Sequence, residues 1–313
     1  MLMDKMTYLA RDGALLAYDK FLIADAKATI VFLHGSTYNS RRYANIAKVL
    51  NQQHYSACLI NWRGHGASEG RSGTVDYIGQ LEDDLADFIA HYQQINEQPI
   101  VLAGHSAGAV ICLRYIDKYG CNDIDGVSFI APAINGPLET VRYKHASAKW
   151  QYQVSYFRTA KPTVAPPEHA LTYAPSLKTV PFIIAKCVPL MRHKPILSFP
   201  ANERMARLEG RVLHYSYNLM LSCDINNYPR AFNKISVPVL LLCGQNDEVV
   251  HPNLLETIFH WHLRPTLNKK MVELKKVNHI QVVTASANIL PDWLNSIFEQ
   301  SSNLVSNTDG ALA

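Results

Sequence analysis

Short runs of consecutive apolar residues alternate along the chain with longer stretches in which apolar residues recur every three or four positions. Residues 28–33 (A-T-I-V-F-L), 56–61 (S-A-C-L-I-N), 100–104 and 126–130 are apolar on both faces, the pattern of strands inside a sheet covered on both sides. Between the second and third of these lies 74–94. There Tyr77, Ile78, Leu81, Leu85, Phe88, Ile89 and Tyr92 share one face while acids occupy the other, which predicts an amphipathic helix. Strand, helix, strand in this order predicts a parallel sheet with right-handed crossovers.

The rhythm stops near Ile134 and resumes at Val237. Ten of the sixteen prolines fall within 134–233, a density that predicts short helices and forbids central strands there. Beyond it, 237–243 and 271–277 predict two more strands, 254–262 a helix, and 289–298 a closing helix with Trp293, Leu294 and Ile297 on its buried face. The organisation expected is an α/β core in two parts, 1–133 and 234–300. A mainly helical cap, 134–233, is inserted between them, and a small, polar, frayed tail occupies 301–313. No internal repeat is visible.

Composition narrows the class. Of 313 residues, 48% are hydrophobic and 18% charged, enough apolar material for a sizeable core and too much for a disordered or fibrous chain. The net charge of +4 is too mild to argue for nucleic acid, and no nucleic-acid motif is present. The charge is unevenly spread: 134–233 holds thirteen Lys/Arg against five Asp/Glu, leaving seventeen against twenty-one elsewhere. A basic cap on a mildly acidic core could touch an anionic membrane at its surface. No apolar run approaches the ~18 residues of a membrane span. Asp4, Lys5, Arg11 and Asp12 interrupt the N-terminus where a secretory signal would be apolar, so a cytoplasmic protein is expected. The six cysteines, Cys58, Cys112, Cys121, Cys187, Cys223 and Cys243, have no metal-type spacing and are expected to be reduced packing residues. Neither metal nor cofactor is expected.

Gly104-His105-Ser106-Ala107-Gly108 follows a predicted strand and precedes a predicted helix. G-x-S-x-G in that context is a nucleophile elbow, a tight turn that lifts the Ser106 hydroxyl above the sheet. Gly104 and Gly108 are small because side chains on either side would clash in so sharp a turn. A serine hydroxyl needs a base, and the base an orienting acid, in the chain order Ser, Asp or Glu, His. Asp247, after the strand ending at Cys243-Gly244, is the acid expected, with Glu248 its neighbouring rival. His279 is the histidine that follows the last predicted strand, and it is the base expected. Donors for an oxyanion are assigned to the backbone N–H groups of Ser36 and Ala107, with Gly35 allowing close approach. Arg63, His65 and Ser68 are read as a hydrogen-bonded structural loop.

Three stretches, F-L-H-G-S-T-Y-N-S-R-R-Y (32–43), W-R-G-H-G-A-S-E-G-R-S-G (62–73) and A-G-H-S-A-G (103–108), carry a resemblance, supported by G-Q-N-D-E-V-V-H-P (244–252). The chain resembles the α/β-hydrolases of the monoacylglycerol lipase and lysophospholipase type, serine hydrolases with a mobile cap. The likeness covers about two thirds of the chain, the core; Asn61-Trp62 stands where the family usually has Asp-x, and Ala107 and Ala109 depart from the usual elbow. The resemblance implies the α/β-hydrolase fold, a mostly parallel twisted sheet with helices on both faces, the triad Ser106, Asp247 and His279, and carboxylic-ester hydrolysis. The expected activity is cleavage of a lipid-like monoester, a lysophospholipid or monoacylglycerol, through an acyl-enzyme on Ser106. A thioesterase, an amidase or peptidase, or an acyltransferase would use the same residues, and a silent binding protein the same fold. Apolar residues of the insertion, from Trp150 to Phe199, are candidates for an acyl tunnel.

Overall fold

The computed structural model describes residues 4–134 and 175–298. The aromatic cluster from Trp150 to Phe157 and the tail at 301–313 lie outside these residues. The strands are β1 (Asp4–Leu9), β2 (Leu15–Phe21), β3 (Thr29–Leu33), β4 (Ser56–Ile60), β5 (Ile100–His105) and β6 (Gly126–Ile130). After them come β7 (Ser176–Leu177), β8 (Pro195–Ser198), β9 (His214–Ser216), β10 (Val239–Gly244) and β11 (Lys269–Leu274). Eight of them form one sheet in the order β1-β2-β4-β3-β5-β6-β10-β11. Pairing is parallel from β4 to β11 and antiparallel where β1, β2 and β4 meet.

Every residue of β3, β4, β5, β6 and β10 is buried, so both faces of the sheet are covered, as their uninterrupted apolar sequences predict. Two groups of helices supply the cover. On one side α2 (Gln80–Gln93) packs on α3 (Ala107–Tyr119), α3 on α7 (Tyr228–Asn233), and α7 on α8 (Pro252–His262). Separately, α1 (Ala44–Gln52) packs on α9 (Gln281–Ser286). A last helix, α10 (290–298), buries Leu290, Trp293 and Leu294, the face its periodicity predicts. Register brings the strand ends level: Leu33 faces Gly104 across β3 and β5, and Gly244 faces Leu274 across β10 and β11. The loops that carry the expected chemistry therefore leave one edge of the sheet.

The structure corrects several expectations. Tyr77 and Ile78 precede α2 and are exposed. Gly79, with φ 109, caps the helix and breaks the run of apolar positions before it. The N-terminal hairpin β1–β2 was not expected, because its charged residues and short alternation lack the strong apolar signature of the inner strands. The described part of the insertion is mainly helical, with α4 (Thr179–Cys187), α5 (Glu203–Glu209) and α6 (Tyr217–Ser222), but it also holds a three-stranded sheet in the order β7-β8-β9. Pro195 begins the central strand, contrary to the proline argument. It is tolerated because it is the first residue of β8 and sits at a register shift. Cys187 is exposed at the end of α4, whereas Cys58, Cys112, Cys121 and Cys243 are buried and all six are free thiols. Arg63 anchors its loop as expected, pairing with buried Asp84 at 2.6 Å and with Asp12 at 2.9 Å. Ser68 Oγ donates to the Asn61 carbonyl and accepts from Ala17 N–H. Among the described residues no helix is long and apolar enough to cross a membrane.

Candidate active site

Ser106 stands between β5 and α3 with φ 55 and ψ −120, a conformation that L side chains avoid and that a nucleophile elbow imposes. The two glycines make it possible. A Cβ on Gly104 would lie 2.5 Å from the backbone of Gly108 and Ala109, and one on Gly108 would lie 2.4 Å from the Leu33 carbonyl and 2.5 Å from that of His34. Gly108 thus lets the elbow press against the end of β3. Ala107 is the first residue of α3, so its N–H has no intrahelical partner, and the loop after β3 lies against the elbow, where a Cβ on Gly35 would sit 3.3 Å from Ser106 Cβ.

Asp247 and His279 arrive from the far side. The turn after β10 and the loop after β11 are stitched together: Gln245 N–H donates to Leu274 O and Asn246 N–H to Val277 O. His279 Nε2 lies 3.0 Å from Ser106 Oγ, and its Nδ1 lies 2.9 and 3.1 Å from the two oxygens of Asp247. The fully buried carboxylate can only accept, so Nδ1 carries the proton and Nε2 is free to accept from the serine hydroxyl. Asp247 Oδ1 also accepts from Val249 and Val250 N–H, both at 2.8 Å, which holds it still. Burial pulls the His279 imidazole toward neutrality, but Asp247 and then Glu248 outweigh it, and its pKa ends above the ordinary imidazole value. Asp247, not Glu248, meets the ring. Glu248 accepts from His279 N–H at 3.0 Å instead, so the rival holds the backbone of the residue whose side chain its neighbour holds.

The loop after β3 forms the opposite wall. His34 Nε2 accepts from Trp62 N–H, so its Nδ1 donates, to the Gly35 carbonyl at 2.9 Å. Gly35 N–H donates to Tyr43 Oη, whose proton then goes to His105 Nδ1, leaving His105 Nε2 to donate to the His279 carbonyl at 3.0 Å. Burial and then the neighbouring His279 drive the His105 pKa well below the ordinary value, consistent with a neutral linking ring. In the G-x-S-x-G motif His105 occupies a variable position, which gives no sign of this linking part. A Cβ on Gly35 would lie 2.8 Å from His105 Nδ1, so that glycine too is required by close approach.

Thr37 was not anticipated. A β-branched residue at φ 71 is a backbone outlier that costs about 1–3 kcal/mol and persists only where its surroundings over-determine it. Its N–H donates to Tyr215 Oη at 2.7 Å, and its carbonyl accepts from Val212 N–H at 2.9 Å. No local pattern could reveal partners so far along the chain. The acyl-tunnel candidates divide: Ile196 is buried, while Ile183, Ile184, Val188 and Leu190 are exposed. Among the described residues no cluster of His, Cys, Asp and Glu has the makings of a metal site.

The family described as serine aminopeptidase, S33, matches residues 24–175, just under half of the chain. An uncharacterized Escherichia coli K12 protein, YfhR, is 28% identical over 105 residues, covering 33% of this chain and 35% of YfhR, so the chain spans about a third of that relative. Among solved structures, a soluble variant of Saccharomyces cerevisiae monoglyceride lipase in complex with a substrate analog aligns with a TM-score of 0.67 at 16% identity, covering 95% of this chain and 96% of that one. The α/β hydrolase GrgF from Penicillium sp. sh18 aligns at 0.66 with 17% identity (96% and 100% covered). The esterase EaEST from Exiguobacterium antarcticum aligns at 0.60 with 16% identity (94% and 99% covered). The chain has the α/β-hydrolase fold.

Proposed function

We propose that the chain is a serine hydrolase that cleaves carboxylic esters through an acyl-enzyme on Ser106. The observation that carries this reading is the hydrogen-bonded line from Ser106 Oγ to His279 to Asp247 at a strained strand-to-helix turn. Ser106 attacks the ester carbonyl while His279 Nε2 takes its proton and then passes it to the leaving alcohol. Asp247 holds the imidazole in the required tautomer and stabilises the imidazolium. The N–H groups of Ser36 and Ala107 receive the oxyanion. Water then repeats the sequence on the acyl-enzyme.

A lipid-like monoester suits the molecule. Within 134–233 the residues before α7, which itself packs on the core helices, would serve as the cap, and their described part exposes Val180, Ile183 and Leu190 together with Lys178, Lys186 and Lys194. Exposed apolar side chains and lysines in one segment fit an anionic lipid surface, and the similarity to a monoglyceride lipase points the same way. The family match favours one other substrate, an aminoacyl amide.

The test compares purified protein with Ser106→Ala on acyl esters of graded length, a thioester and an aminoacyl amide. Long-chain ester should be turned over fastest, and faster from anionic than from neutral vesicles. Ser106→Ala should lose roughly 10⁴-fold or more in kcat while keeping its fold. Undiminished turnover in Ser106→Ala would end the reading, and preference for the amide would move it to a peptidase.

A further inference from the structure

The wall of the crevice that faces Ser106 is not held by the core alone. Between α5 and α6 the insertion runs as the segment 209–216 along the loop that follows β3. Beside the two backbone bonds at Thr37, Arg211 donates to Thr37 Oγ1 through Nε at 3.2 Å and Nη2 at 3.0 Å, and its guanidinium lies 4.6 Å from the Tyr38 ring centre. Asn39 Nδ2 reaches back to the carbonyls of Glu209 at 2.8 Å and Gly210 at 3.2 Å. Tyr215 has no freedom in this arrangement. His65 Nδ1 donates to the Arg63 carbonyl, so its Nε2 accepts the Tyr215 proton at 3.0 Å, and Tyr215 Oη is left to receive Thr37 N–H. The tyrosine is buried to 1% exposure, with Phe199 against its ring.

The consequence follows from peptide planarity. The Ser36 N–H belongs to the peptide whose carbonyl is that of Gly35, and it points opposite to that carbonyl. His34 Nδ1 and Tyr38 N–H hold the Gly35 oxygen, but Tyr38 can do so only while the turn through Thr37 keeps its left-handed shape. Released, a threonine would relax to negative φ and swing the Ser36 amide with it.

We propose that Tyr215 and Arg211 are positioning residues for the reaction: by clamping Thr37 in its left-handed conformation, they aim the Ser36 N–H at the oxyanion. The inference rests on the hydrolase reading above and on Ser36 as a donor. It means that the inserted segment shapes the site chemically, through the loop after β3.

The test is Tyr215→Phe, which keeps the ring and removes the acceptor, with Arg211→Met as a milder second variant on a partly exposed side chain. Both are assayed beside Ser106→Ala on the ester that the wild type prefers. Each variant is also titrated with a trifluoromethyl ketone matching the acyl chain, which forms a tetrahedral adduct, and with the corresponding unreactive ether. A misaimed oxyanion donor should lower kcat by about tenfold or more and weaken the ketone by a similar factor, with KM and ether affinity within about twofold. Equal weakening of ketone and ether would mean general damage to the pocket and would overturn the proposal, as would kcat within twofold of wild type. If Tyr215→Phe fails to fold, Arg211→Met decides by the same criteria. A dead Ser106→Ala beside fully active clamp variants overturns this inference alone. An active Ser106→Ala overturns the hydrolase reading and this with it.

Discussion

The two walls of the crevice are held in different ways. On the Ser106 side each constraint is short in sequence or lies inside the sheet: Gly104 and Gly108 flank the elbow, and the turn after β10 meets the loop after β11 through adjacent parallel strands. On the Ser36 side His34 and Tyr43 hold Gly35 from nearby, but the constraints on Thr37 come from more than 170 residues away, from Arg211 and Tyr215, and they hold a threonine in a conformation it would otherwise leave. A nucleophile can be placed by local sterics because its task is to project from one turn. Ser36, proposed as a donor for developing charge, sits in a loop whose turn through Thr37 is held from outside that loop.

The difference can be tested by disturbing each wall. The largest effect is expected from Asp247→Asn. The amide oxygen would keep the Val249 and Val250 bonds, turning the NH2 toward His279 and forcing the ring to protonate Nε2, so kcat should fall roughly 10³- to 10⁴-fold with the melting temperature nearly unchanged. A kcat within tenfold of wild type would show that the base does not depend on this carboxylate.

Acid should separate the walls next. On one side the raised His279 pKa means that the base is lost as pH falls through a value above the ordinary ~6.5, with kcat/KM dropping about tenfold per pH unit below it. On the other side burial lowers His34, His65 (to about 4) and His105. Their folded-state neutrality stabilises the protein above pH ~6.5, and each forfeits up to about 1.4 kcal/mol per pH unit as the unfolded chain takes up protons below it. Activity should therefore begin to fall before stability does. A pH–rate profile flat across the acidic range would contradict the His279 assignment.

The smallest effect is expected from Asn39→Ala, which removes the bonds to Glu209 and Gly210 and the cap on Arg41 N–H but leaves Thr37 itself held. Stability should fall by about 1–2 kcal/mol in denaturant unfolding, with kcat changed only a few-fold. A loss of kcat as large as that of Tyr215→Phe would spread the clamp over the whole segment.

The same contrast explains what could be read in advance. The elbow, Asp247 and His279 were legible because strand, glycine spacing and order after each strand are local signals, the parallel α/β sheet followed from uninterrupted apolar runs, and the particular fold from the resemblance its motifs carry. Asp247 was preferred to Glu248 because neighbouring side chains point apart, but the part that Glu248 plays, holding the His279 N–H, was visible only in the structure. Tyr215 and Thr37 were illegible: tyrosines are common, and neither residue sits in a pattern that predicts a left-handed turn. Tyr77 and Ile78 misled because helical periodicity ran on through Gly79, where the backbone reverses. The small sheet of the insertion escaped notice because its strands are only two to four residues long.

Asp247 and Glu248 grip one histidine by its ring and by its main chain, and they do so as consecutive residues. Deleting a single residue between Gly244 and Asp247 would bring Glu248 to the ring and Val249 to the main chain, and inserting one would bring Asp247 to the main chain and leave the ring facing Asn246 or the new residue. That stretch of the gene should accept changes of letter far more readily than changes of length.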